Sequence, residues 1–145
     1  MPEKETVARA RRARREGKSP TTQAGEFVRE EIHHVRQGKH GARSTKQAIA
    51  IGLSKARRAG VRLKPPTRAK RATRKSAAYA SRAARQHRRP SPKRARAVRR
   101  ALKRELHRTA SRKALSRQAR QAARRRSPAA RKAVARKAAE TRKAA

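Results

Sequence analysis

The apolar residues recur at helical spacing in the first half of the chain and thin out to alanine in the second. One stripe, over residues 22–37, consists of Ala24, Val28, Ile32 and Val35. A second stripe, over residues 44–59, consists of Ala48, Ile49, Gly52, Leu53 and Ala56. The small residues of the second stripe would let another helix approach closely. We therefore predict an antiparallel helical hairpin over residues 22–63, with Val61 and Leu63 folded back over its open end.

The segments around these helices carry start and stop signals. Residues 38–41 (GKHG) interrupt the pattern, Ser44 and Gln47 form a capping box, and Gly60 ends the second helix. Residues 3–16 place glutamate early and basic residues late, which favours a helix through its dipole. That segment has almost no apolar face, so we expect it to fray in the free chain.

From residue 64 onward the chain consists mainly of alanine, arginine and lysine. Residues 1–63 hold 16 Lys or Arg and six Glu, whereas residues 64–145 hold 31 Lys or Arg and two Glu. Alanine and arginine favour helix, but like charges at i,i+4 repel one another. We expect the tail to be largely unfolded until it lies on a polyanion. Its prolines predict helical segments over residues 67–89, 93–126 and 129–144.

The predicted fold is all-α, a short helical hairpin plus an extended helical or disordered tail, with no single globular core. Only one Phe, one Tyr and one Met are present, and alanine buries little apolar area for the roughly 25 cal/mol per Å² that burial contributes. Three parts follow: a basic N-terminal arm at 1–21, the hairpin at 22–63 and a low-complexity basic tail at 64–145.

Charge points to the class of partner. The chain has 47 Lys or Arg, eight Glu and no Asp, for a net charge of +39, and the abundant cellular polyanions are nucleic acids. We predict a histone-like, nucleoid-associated protein of the bacterial cytoplasm that binds DNA phosphates without sequence preference, with possible self-association through the hairpin. Two alternatives stay open: an RNA-binding or ribosome-associated protein, and a docking module for an acidic protein. DNA is favoured over RNA because the aromatic residues on which RNA bases stack are nearly absent.

The predicted phosphate contacts come from basic residues at the end of the second hairpin helix and along the tail. They are Arg57, Arg58, Arg62, Arg71, Arg74, Lys75, Arg88, Arg89, Lys93, Arg94, Arg99, Arg100, Arg124, Arg125, Arg126, Arg131 and Lys132.

Other chemistry has little support in the sequence. Cysteine and aspartate are absent, and no glycine-rich phosphate loop or nucleophile motif occurs. We expect no enzyme activity and no cofactor. No apolar run approaches the roughly 20 residues that span a membrane, so we expect no membrane insertion.

Histidines and glutamates gather near the hairpin turn. Glu30 and His33, and Glu31 and His34, stand three residues apart, and His40 follows. This spacing resembles half of a carboxylate-bridged metal site, which needs further carboxylates from other helices. We therefore predict surface salt bridges and a loop cap here, with no metal.

Two features of the tail have both a structural and a functional interpretation. Ser-Pro steps at 91–92 and 127–128 separate helices or introduce basic residues to a minor groove. Val98, Leu102 and Leu106 form a stripe too short for a coiled coil, which we expect to pack only transiently.

Residues 25–66 resemble a family of small, basic bacterial proteins, most clearly through GKHGARSTKQAIAIGLSKARRAG at 38–60. The resemblance implies a bacterial origin and brings no activity or binding residues with it. The tail is similar in composition to the tails of linker histones and bacterial histone-like proteins.

Overall fold

The structure, a computed structural model, describes residues 2–67, 69–88 and 91–143, apart from the side chain of Thr141. These ranges contain helices and no strand, which confirms the all-α prediction. The helices are α1 (Lys4–Arg15), α2 (Pro20–Arg36), α3 (Thr45–Arg58), α4 (Arg71–Arg85), α5 (Pro92–Lys103), a 3-10 turn (Arg108–Ala110), α6 (Arg112–Arg124) and α7 (Pro128–Lys143). No helix in the described ranges has the length and apolar content needed to cross a membrane.

Caps set the ends of the hairpin helices. Ser44 Oγ accepts a hydrogen bond from the backbone N–H of Gln47 at 3.2 Å, and Gln47 Oε1 accepts one from the backbone N–H of Arg43 at 2.6 Å. The predicted capping box is present, but its second hydrogen bond comes from the backbone N–H of Arg43, the residue before Ser44. Gly38 and Gly60 adopt φ angles of +72° and +91° just after α2 and α3, a conformation that glycine adopts at low cost.

The hairpin of α2 and α3 forms as predicted, and its core is small. Ala10, Ala24, Phe27 and Ala56 form a buried cluster, against which Val7, Leu53, Val61 and Leu63 pack. The fold-back of Val61 and Leu63 is thus confirmed. Gly52 lies directly on α2, since a Cβ atom at this position would stand 2.7 Å from Val28 Cα.

Helix α1 is packed along α2, which differs from the expectation that it frays. It buries Thr6, Ala10 and Ala13, and Arg9 Nε donates to Glu26 Oε2 at 2.9 Å. Small side chains allow the two helices to approach closely, and ion pairs along the seam replace the apolar face that α1 lacks.

Over the described residues of 71–110 the tail is helical, as one of the two predictions had it, but it packs on the hairpin, so the expectation of an extended or disordered tail is wrong there. Helix α4 packs against α3 and buries Ala77, Ala80 and Ala83. At the end of α5 the chain returns to the hairpin, where Leu102 O accepts a hydrogen bond from Gly41 N at 2.9 Å and Leu106 O accepts one from Ala42 N at 3.1 Å. An all-alanine face is therefore enough for packing when the opposing helix is close.

The same return explains why the predicted segment 93–126 is divided between α5 and α6. Ala110 O accepts from Arg36 Nε at 2.8 Å, and Thr109 O accepts from Thr45 Oγ at 2.6 Å. A Cβ atom on Gly41 would overlap the Glu105 carbonyl, so the loop approaches this segment as only glycine permits. These tertiary hydrogen bonds replace helical ones.

The apolar stripe predicted on the tail is not continuous. Helix α5 ends at Lys103, so Val98 and Leu106 do not share one helix. Val98 is 52% exposed and Leu106 is 55% exposed.

Contacts and charge divide the chain at different places. By contacts, Met1–Ser111 forms one compact unit and Arg112–Ala145, with α6 and α7, forms a second. By charge, the change in composition comes at residue 64. The first unit therefore contains the hairpin together with about half of the basic tail.

Candidate nucleic-acid interface

A cationic cleft opens between the end of α3, the loop that follows it and α4. Its volume is about 960 Å³, and its charged lining comprises Arg57, Arg58, Arg62, Lys64, Arg82 and Arg85. Basic residues occupy the last turns of both helices, where the C-terminal carbonyl groups favour positive charge. Packing α4 on α3 thus brings two sets of cations to one opening.

Arg57 is the one buried cation of the cleft. Burial lowers the pKa of its guanidinium below the ordinary value, its Nε has no hydrogen-bond partner, and Nη1 reaches Leu53 O only at 3.5 Å. A buried donor without a partner costs about 1–3 kcal/mol. An anion that enters the cleft would provide that partner.

Arg58 is oriented by the tyrosine of α4. Its guanidinium carbon lies 5.8 Å from the centre of the Tyr79 ring, within the range of a cation–π contact. Tyr79 thereby supports a cation at the mouth of the cleft, a role different from base stacking.

A basic stripe continues from the cleft along α4. Arg71, Lys75, Arg82 and Arg85 follow one another at intervals of four, seven and three residues, so they share a helix face. All four are exposed, as is Arg74 beside them. From Arg71 to Arg85 the stripe extends for about 21 Å.

Arg82, Arg85 and Lys64 were not among the residues predicted to contact phosphate. The signal for the two arginines was present in the sequence, since both lie in helical register with Arg71 and Lys75. Lys64 had no such signal, because only the fold-back of the 59–65 loop brings it to the cleft.

The remaining predicted residues lie outside the cleft. Arg88, Lys93, Arg94, Arg99 and Arg100 are exposed in the first unit. The predicted residues of the second unit are all exposed, and they lie at the end of α6, in the turn that follows it and near the start of α7: Arg124, Arg125, Arg126, Arg131 and Lys132. Arg89 lies outside the described residues.

Acidic side chains are segregated from the cleft. Each of the six glutamates between residues 3 and 31 pairs with a cation at or before residue 55. Within the described part of the chain, no carboxylate lies within 4.0 Å of a cleft arginine or of Lys64. The positive charge of the cleft is therefore not compensated locally.

The paired acids form a buried polar cluster between α1, α2 and α3. Lys55 Nζ lies 3.1 Å from Glu30 Oε1 and 2.7 Å from Glu31 Oε2. Burial by itself lowers the pKa of Lys55, but the two carboxylates outweigh it and raise the pKa above the ordinary value. Burial likewise raises the pKa of Glu30, and hydrogen bonds from Thr6 and Lys55 turn the net shift downward.

The expectation of surface salt bridges at the hairpin turn is wrong for two of its residues. Glu30 is 4% exposed and Glu31 is fully buried. Lys55 of α3 lies against both carboxylates. The spacing of residues within α2 could not reveal this contact with another helix. His33 is exposed, whereas His34 and His40 face the cluster.

Comparison with known proteins finds a similarity to a protein family over the front half of the chain. No curated protein and no solved structure matches the chain. Residues 4–71 match the model of a family of unknown function, DUF6496. The matched region contains α1, α2, α3 and the loop lining the cleft, and it ends at the first residue of α4, so the similarity to that family covers the hairpin and its buried polar cluster.

Proposed function

We propose that the protein binds nucleic acid through its phosphates, without reading sequence, and acts as a histone-like, nucleoid-associated protein of the bacterial cytoplasm. DNA is the favoured partner. The observation that carries the proposal is the cationic cleft of Arg57, Arg58, Arg62, Lys64, Arg82 and Arg85, none of which has a carboxylate within 4.0 Å among the described residues.

Electrostatic accounting supports a polyanion as the ligand. The acids of the front half neutralise cations at or before residue 55, so they leave the cleft and the α4 stripe with net positive charge. Cations held close together repel one another, and a phosphate backbone relieves that repulsion while releasing counterions. Binding of this kind needs no base contact and discriminates little between sequences.

The geometry suits a backbone better than a small anion. The α4 stripe extends for about 21 Å, and successive phosphates of one strand lie only several ångströms apart. The stripe together with the cleft therefore offers contacts to several phosphates in a row. Exposed cations on α5 and in the second unit add further contacts without a defined groove.

The proposal is tested by salt dependence. The full-length chain, freed of nucleic acid, is titrated into fluorescent duplexes of two unrelated sequences between about 50 and 200 mM salt. We expect similar affinities for both sequences and a log–log slope near −9 for about ten phosphate contacts. A slope shallower than about −3, or strong preference for one sequence, would contradict phosphate-dominated binding.

The choice between DNA and RNA is tested in the native cell by ultraviolet crosslinking, followed by sequencing of the bound DNA and RNA. Broad coverage of DNA without a motif supports the nucleoid role. Concentration of crosslinks in ribosomal RNA would replace it with a ribosome-associated role, for which the same cationic surface would serve.

A further inference from the structure

The buried polar cluster contains an arrangement that salt bridges do not fully explain. Glu31, His34 and His40 each offer one ligand atom, and these atoms all lie within 4.8 Å of one another. Glu31 is fully buried, and its Oε1 receives no hydrogen bond. Lys55 Nζ lies 2.7 Å from Oε2, so this ion pair accounts for only one of the two oxygens. A buried carboxylate oxygen without a hydrogen-bond partner is uncommon.

The hydrogen bonds of His40 indicate which nitrogen faces Glu31. His40 Nδ1 lies 3.0 Å from the backbone oxygen of Gly41, and a carbonyl oxygen can only accept, so Nδ1 carries a proton. In the neutral ring, Nε2 then has a lone pair. That nitrogen stands 3.4 Å from Glu31 Oε1, so two lone pairs face each other unless a second proton on the ring or a metal ion lies between them.

His34 is held in a similar way from its other side. Its Nε2 lies 2.8 Å from Glu3 Oε1, and the rings of His34 and His40 meet edge to face with centroids 6.1 Å apart. A carboxylate or carbonyl partner on the second ring nitrogen is the usual support of a metal-binding histidine. Both histidines have such a partner here, from Glu3 and from Gly41.

We propose that Glu31, His34 and His40 bind a divalent transition-metal ion, with Zn²⁺ as the best match. Imidazole and carboxylate ligands suit zinc, and tetrahedral Zn²⁺ with bonds of about 2.0–2.1 Å sets its ligand atoms about 3.4 Å apart. The Glu31–His40 pair already has that separation. Three protein ligands leave a fourth position for water.

Local charge favours a cation at this point despite the basic chain. Three carboxylates, Glu3, Glu30 and Glu31, face the site, against the two ammonium groups of Lys39 and Lys55. His34 and His40 are 13% and 16% exposed at their side chains, so an ion can enter from solvent. The long-range repulsion from a net charge of +39 is screened by salt. Zinc affinity should therefore rise with ionic strength, opposite to nucleic-acid affinity.

The test is a titration of the full-length chain, made without a polyhistidine tag and free of nucleic acid, with Zn²⁺ in competition with a chromogenic chelator. We expect one ion per chain and a thermal unfolding midpoint that rises with zinc. His40→Gln and His34→Gln should each weaken binding by about tenfold or more. His33→Gln is the matched control, because His33 is on the same helix and exposed; it should leave the affinity unchanged within about twofold.

Two results would overturn the proposal. One is the absence of one-to-one binding by the wild-type chain. The other is an equal loss of affinity in His33→Gln and His40→Gln, which would show binding by scattered surface histidines. If a variant loses its helical circular dichroism in metal-free buffer, the Co²⁺ spectrum of the wild-type chain decides. Intense ligand-field bands from a four-coordinate site support the proposal, and the weak bands of hexaaqua cobalt refute it.

Discussion

Neutralising the cleft should weaken nucleic-acid binding far more than neutralising the same charge elsewhere. The perturbation is the fourfold variant Arg58→Gln, Arg62→Gln, Arg82→Gln and Arg85→Gln, which removes exposed cleft cations and spares buried Arg57. It lowers the formal net charge from +39 to +35. The side chains removed have no carboxylate partner among the described residues, so no buried charge is left unpaired.

The magnitude follows from the number of cations removed. If each of the four contacts one phosphate, the log–log salt slope becomes less steep by about 3.6, at about 0.9 per contact. If affinities converge at about 1 M salt, the affinity for duplex DNA at about 0.1 M then falls by up to about 4 × 10³-fold. Cations that contact no phosphate reduce both numbers in proportion, so the measured change in slope counts the contacts made by the cleft.

The matched control removes four cations from α1, where no cleft exists. Lys4, Arg11, Arg14 and Arg15 are exposed and have no ion pair within the described ranges, and their replacement by glutamine also gives +35. Fluorescence anisotropy with one duplex at several salt concentrations measures both variants. Equal losses of slope would refute the reasoning, because net charge alone would then govern binding.

Three further predictions concern stability and the second unit. Gly52→Ala places a methyl group 2.7 Å from Val28 Cα and should lower the free energy of unfolding by about 1–3 kcal/mol. Gly25→Ala, which meets open space, should raise it by up to about 1 kcal/mol; urea unfolding compares them, and equal effects would contradict the packing argument. Stability should be greatest between pH 4.5 and 10.5, the ordinary pKa values of Glu30 and Lys55. The pKa of Glu30 is lowered in the folded chain, so the stabilisation by Glu30 is lost as the pH falls through that lowered value. The pKa of Lys55 is raised, so the stabilisation by Lys55 is lost as the pH rises through that raised value. Unfolding followed by circular dichroism at several pH values tests this prediction, and a stability that stays constant below pH 4.5 would contradict it. In the second unit, five exposed cations can be replaced together by glutamine: Arg124, Arg125, Arg126, Arg131 and Lys132. The replacement should reduce the salt slope of DNA binding by at most about 4.5 without changing the unfolding of the first unit. An unchanged slope would show that these residues are not part of the interface.

Much of the hairpin could be predicted because its determinants are local. The apolar stripe of α2, the small residues of α3 and the glycine after each helix are periodic or positional signals within about 15 residues. Gly52 illustrates the point, because a glycine among small residues on one helix face indicates close approach of another helix. Contact with Val28 and Phe27 on α2 is that approach.

The packing of α1 and α4 could not be predicted in the same way. Their buried faces consist of alanine, such as Ala10 in α1 and Ala80 in α4, and alanine is also what an exposed helix contains. Composition therefore indicated an unfolded tail, whereas packing depends on how closely the partner helix approaches. The break after α5 depends on hydrogen bonds between residues about 60–75 apart, such as that from Gly41 to Leu102, for which the sequence carries no local sign.

The distribution of the few acids links the fold to the proposed function. A chain of net charge +39 gains little from surface ion pairs, and scattered acids would only weaken its positive surface. Here the front-half acids pair with cations at or before residue 55, and Glu30 and Glu31 hold Lys55 between the helices. The same α3 helix continues two residues later into Arg57 and Arg58, which line the cleft. One helix thus uses a compensated cation to fix the fold and uncompensated cations to present charge, so nucleic-acid affinity should be removable at the cleft without loss of the hairpin.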